Sequence, residues 1–93
     1  MKEEEVEILD SLIETNQFRK EYANNCLEVI KDGIRKEKSF HIGIMGKDDN
    51  YEEIIPCNRY LIEYLKCYFV NMVIDYDNKI EKFTKEKEEL GEE

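Results

Sequence analysis

From Arg59 to Leu90 the chain runs without proline or glycine, and Leu61, Leu65, Tyr68, Met72, Tyr76, Ile80, Phe83 and Leu90 recur along it at helical spacing. A second stripe of Tyr60, Tyr64, Cys67 and Ile74 runs beside the first as far as the middle of the segment. One helix of that length would extend roughly 48 Å, whereas a compact chain of this size has a radius of gyration of roughly 12 Å. The helix must therefore overhang its own globule. Either the N-terminal segment or a second copy of the chain has to cover its far end, and the sequence reading favours a homodimer with Tyr76, Ile80, Phe83 and Leu90 in the oligomer interface.

At 93 residues the whole chain is long enough for one domain and too short for two. Val6, Leu9, Leu12 and Ile13 form one helical stripe, with Glu3, Glu4 and Glu5 placed where a helix N-terminus favours negative charge. Phe18, Tyr22, Cys26, Val29 and Ile30 form another, rotated by roughly 130° from the first at 100° per residue. Two structures reconcile these stripes: a break near Thr15-Asn16, or one continuous helix with different partners on two sides. The break is preferred, because both residues make good N-caps. Gly33 is read as the left-handed residue that closes the second helix.

Residues 39–45 alternate, with Phe40, Ile42 and Ile44 on one face and Ser39, His41, Gly43 and Met45 on the other. Gly46-Lys47-Asp48-Asp49-Asn50 is turn chemistry, and Tyr51 to Pro56 resumes an extended pattern. An isolated hairpin is marginal in water, so this one is expected to lie on a helix or to be extended by another chain. Asn58 is placed to cap the last helix. The expected fold is α+β in a single domain: two N-terminal helices in residues 1–38, an antiparallel β-hairpin in 39–57, a long helix in 58–90 and a disordered tail in 91–93.

Charge divides unevenly. The formal net charge is −9, of which residues 1–15 carry −5, residues 16–38 carry +2, and residues 39–58 and 59–93 carry −3 each. An acidic chain with weakly segregated bases is not expected to bind nucleic acid directly. Arg19, Lys20, Arg35, Lys36 and Lys38 are candidates for an anion site, although the last three also sit where a helix C-terminus attracts cations. Asp48, Asp49, Glu52 and Glu53 project from one hairpin and are the candidate contacts for a basic partner surface.

Catalysis has little to build on: one histidine, two serines, no phosphate loop and no HExxH pattern. The chain is read as a non-enzyme needing no cofactor or metal. Cys26, Cys57 and Cys67 are read as buried thiols, because their spacing suits neither a disulfide framework nor zinc. No run approaches the roughly 20 apolar residues of a membrane span. The acidic start is unlike a secretory leader, so a cytoplasmic protein is expected.

A single alanine and three arginines beside abundant Ile, Lys, Asn and Glu reflect AT-rich coding, as in a low-GC bacterium or a phage living in one. In size, acidity and this bias the chain is similar to the small early proteins of phages and mobile elements, several of which bind and disable a host protein such as a CRISPR effector. That likeness implies an anti-defence inhibitor that blocks a basic surface of a nucleic-acid-binding host enzyme. The alternatives are an oligomer that sequesters an anionic nucleotide and a dimeric regulatory or structural protein.

Overall fold

The computed structural model describes residues 2–48 and 50–92, apart from the side chains of Tyr51, Glu52 and Glu92. Its elements are α1 (Lys2–Arg35), β1 (His41–Met45), β2 (Tyr51–Pro56) and α2 (Arg59–Glu92). The two helices pack on each other as an antiparallel pair and the strands form a hairpin at the end where α1 hands over to α2. α2 continues through Glu92, two residues past the Leu90 at which the sequence pattern closes it. Among the described residues no helix is long and apolar enough to cross a membrane.

The expected pair of N-terminal helices is corrected to one: α1 is continuous through Thr15-Asn16. The buried and half-buried side chains show why. Val6, Leu9, Ile13, Asn16, Lys20, Ala23, Leu27 and Ile30 follow one another at alternating steps of three and four, the repeat that keeps one seam of a long helix turned toward a helical neighbour. Asn16 is 6% exposed within that seam, and its Nδ2 donates to the Leu12 carbonyl one turn back at 2.7 Å, so it belongs to the helix interior and caps nothing. α2 answers with Ile62, Phe69, Tyr76, Phe83 and Leu90, spaced by seven.

Two ion pairs fix the register. Lys20 meets Asp77 at 2.6 Å and Lys87 meets Asp10 at 2.5 Å, with the partners ten residues apart on each helix, so both report the same antiparallel alignment. Both pairs are half-exposed and set alignment more than stability. One turn beyond Lys20 sits Ala23, the chain's one alanine and wholly buried, where the absence of a longer side chain lets the helices approach.

Gly33 does not close α1. It remains helical, and a Cβ there would come within 2.9 Å of Phe40 Cε1, so its bare backbone makes room for the Phe40 ring. The closing residue is Glu37, whose φ of 54° is left-handed. The Glu37 N–H donates to the Ile34 carbonyl at 3.1 Å and the Lys38 N–H to the Gly33 carbonyl at 2.9 Å, the paired bonds of a Schellman turn with glutamate in the usual glycine position. At the other junction Asn58 caps α2, its Oδ1 accepting from the Leu61 N–H at 2.9 Å.

The hairpin pairs His41 with Pro56, Ile42 with Ile55 and Gly43 with Ile54, with a bulge between Ile44 and Met45. Among the described residues neither strand comes within 8 Å of a helix between Cα atoms, so the hairpin does not lie on the helices as the sequence suggests. Phe40, ahead of β1, is its one half-buried anchor at Gly33. Ile42 is half-buried, while Ile44, Met45, Ile54 and Ile55 are exposed.

Two substitutions test this packing. Ala23→Leu should overfill the closest approach and lower unfolding stability by about 1–3 kcal/mol in denaturant titration. Glu37→Gly should raise it by about 0.5–1 kcal/mol, because glycine occupies the left-handed region without the Cβ clash.

Candidate functional surface

Seen from α2, α1 has two flanks. On one, Glu7, Asp10, Glu14, Gln17, Glu21, Asn24 and Glu28 repeat the three-four spacing of the seam and are polar throughout. On the other, Ile8, Leu12, Thr15, Arg19, Tyr22, Cys26 and Val29 repeat the same spacing and are largely apolar. Ile8, Leu12, Tyr22 and Val29 are exposed there, Tyr22 at 62% and Val29 at 69%. Phe18, 71% exposed on the outer side of α1, turns toward this flank and lines a shallow groove with Arg19, Tyr22, Met72 and Tyr76. A second shallow groove on the same flank is lined by Ile8, Leu9 and Leu90 with Glu5, Glu86 and Glu89.

The corresponding flank of α2 changes character at its middle. Leu61, Leu65, Tyr68 and Met72 occupy the half near the hairpin, and Asp75, Lys79, Lys82, Glu86 and Glu89 occupy the half beyond. Tyr60 and Tyr64, which open the second stripe of the sequence pattern, are exposed at 86% and 67%. Their rings therefore contribute surface rather than core.

Tyr76, Ile80, Phe83 and Leu90, the residues assigned from sequence to an oligomer interface, are half-buried on the side of α2 turned to α1. The N-terminal half of α1 lies alongside them, as the Asp10–Lys87 pair shows.

The candidate anion-binding residues fall into two sets. Arg19 and Lys20 lie in the middle of α1, and Lys20 is engaged with Asp77. Arg35 and Lys36 lie one end away, about 22 Å along the axis, where both bind Asp32 at 2.5 and 3.1 Å. Those two cations hold the Asp32 carboxyl below its ordinary range, Lys36 most strongly. Lys38 follows the Schellman turn. The five cations do not converge on one point.

In the acidic hairpin, Asp48 and Glu53 are exposed, while Asp49 and the side chain of Glu52 lie outside the described residues. Asp48 closes the turn: its Oδ2 accepts from Asn50 Nδ2 at 2.8 Å and its Oδ1 from the Asn50 N–H at 3.4 Å. These bonds lower its pKa, the Asn50 side chain foremost. A larger acidic region was not singled out from sequence. The antiparallel register sets residues 2–15 beside residues 80–92, and together these carry a net charge of −7 from eleven acids and four bases.

Cys67 is exposed and Cys26 and Cys57 are half-buried, so the three thiols are more open than the sequence suggests. Among the described residues no three His, Cys, Asp or Glu side chains gather in a metal-binding group. Comparisons with protein-family models, with curated proteins and with solved structures find no match for this chain.

The turn gives a pH prediction. A folded-state pKa below the ordinary aspartate value means that the turn is favoured above that value and weakened as pH falls through the depressed one. The Asn50 amide resonance should titrate below the ordinary aspartate range, and Asp48→Asn should abolish the transition.

Proposed function

We propose that this protein is a binding module that occupies a basic surface on another protein, acting as an inhibitor of a nucleic-acid-binding enzyme in a low-GC bacterial host. The observation that carries the reading is the open end of the helical pair, where the register concentrates a net charge of −7. Charge of one sign gathered on a rigid support speeds encounter with a basic cleft and selects against acidic partners. The elongated shape, 54 × 33 × 17 Å, presents that end clear of the hairpin. Asp48 and Glu53 form a second, separate acidic patch on the hairpin at the opposite end. Exposed tyrosines near the other end of α2 supply apolar contact area with polar tips, a composition enriched where partners bind.

Purified nucleic-acid-binding defence enzymes of low-GC bacteria, titrated with this protein by interferometry at several salt concentrations, test the proposal. It predicts a complex that displaces DNA and weakens steeply with salt. Glu86→Lys with Glu89→Lys should weaken it more than tenfold, and Asp48→Lys with Asp49→Lys should weaken it less. Failure of every such enzyme to bind at low salt, or a complex indifferent to these reversals, contradicts it.

A further inference from the structure

We infer that α1 is also a dimerisation element, pairing antiparallel with α1 of a second copy through the stripe that runs from Ile8 to Val29. The single chain is too open for its mass. Its accessible surface is 7678 Å², against about 5700 Å² for a compact monomer of 11.2 kDa. Its radius of gyration is 18.3 Å, against roughly 12 Å. An excess of about 2000 Å² is more than twice the roughly 800 Å² that each partner contributes to a standard stable interface.

The stripe is built for a helical neighbour. It has the same three-four repeat that turns the inner seam of α1 toward α2, and it is unoccupied on a helix whose opposite flank is polar throughout. Four of its seven positions also map onto the stripe about its midpoint, as a two-fold contact requires. With the axis crossing between Phe18 and Arg19, the midpoint of α1, Ile8 faces Val29 of the copy and Thr15 faces Tyr22, while Leu12 meets Asn25 and Cys26 meets Ser11 at the edge of the stripe. Arg19 then lies against the exposed ring of Phe18, a cation–π pair made twice.

Charge selects the direction. Antiparallel pairing about that axis sets residues 2–15, at −5, over residues 22–35 of the copy, whose two bases and two acids cancel. Parallel pairing sets −5 over −5. The acidic ends then lie at opposite poles of the dimer, each keeping the polar flank of Glu7 and Glu14 open to the partner proposed above, and the variants below read the dimer without that partner.

Sedimentation of the full chain at tens of micromolar, with variants and one distance, decides the matter. Wild type and Gln17→Glu, which alters the polar flank, should sediment as dimers. Leu12→Glu with Tyr22→Glu should raise the dissociation constant at least a hundredfold and leave helical circular dichroism unchanged, since both residues are exposed. In a background lacking the three cysteines, nitroxides on Glu3→Cys should lie about 45 Å apart across the axis, from 1.5 Å per residue. A monomeric wild type, a dimer that survives the double substitution with its affinity intact, or nitroxides within about 20 Å of each other overturns the inference.

Discussion

The structure depends on one interaction, the seam along which α1 and α2 lie antiparallel. Every other element is positioned by it. The seam aligns the acidic N-terminal residues with the charged end of α2, it turns one flank of α1 outward, and it leaves the hairpin as a cap on the closed end. Its composition is unusual for something so central. Among the described residues only Leu9, Ala23, Leu27 and Ile30 are buried and apolar, and no large side chain is wholly enclosed. Two layers with so thin a core bury little apolar area at roughly 25 cal/mol per Å², and length has to make up for depth.

Polar residues inside the seam give it alignment at a cost in stability. Asn16 takes a core position and satisfies its amide within its own helix on the Leu12 carbonyl, so the aligning group is Lys20, which crosses to Asp77 from the next position. In coiled coils a polar residue at one seam position fixes register because sliding would bury it unpaired. Here the two ion pairs state the register redundantly, and the same alignment that serves the fold creates the acidic end on which the proposed function rests.

Much of this was legible in the sequence, and the part that was not has a physical explanation. The hairpin, the cap at Asn58 and the long final helix follow from alternation, turn chemistry and spacing, all of which are local. The continuity of α1 was obscured because Asn16 and Lys20 interrupt the apolar reading of its inner seam, so attention passes to the neighbouring stripe of Phe18, Tyr22, Cys26 and Val29. Two parallel stripes on one helix thus read as two helices. Gly33 misleads for a related reason: a glycine near a helix end suggests a left-handed turn, yet its role is to admit the Phe40 ring, while Glu37 takes the strained backbone. Among the candidate site residues, those of the hairpin were found by charge alone. The acidic open end depends on a helix register that no local pattern contains.

The account stands on α1 being one uninterrupted helix held by that seam, and residue-resolved hydrogen exchange measures this directly. Amides from Glu14 through Lys20 should exchange as slowly as those around Leu27, because one packed helix protects them all. Fast exchange confined to Thr15, Asn16 and Gln17, with slow exchange on either side, would mean two helices and would contradict the account.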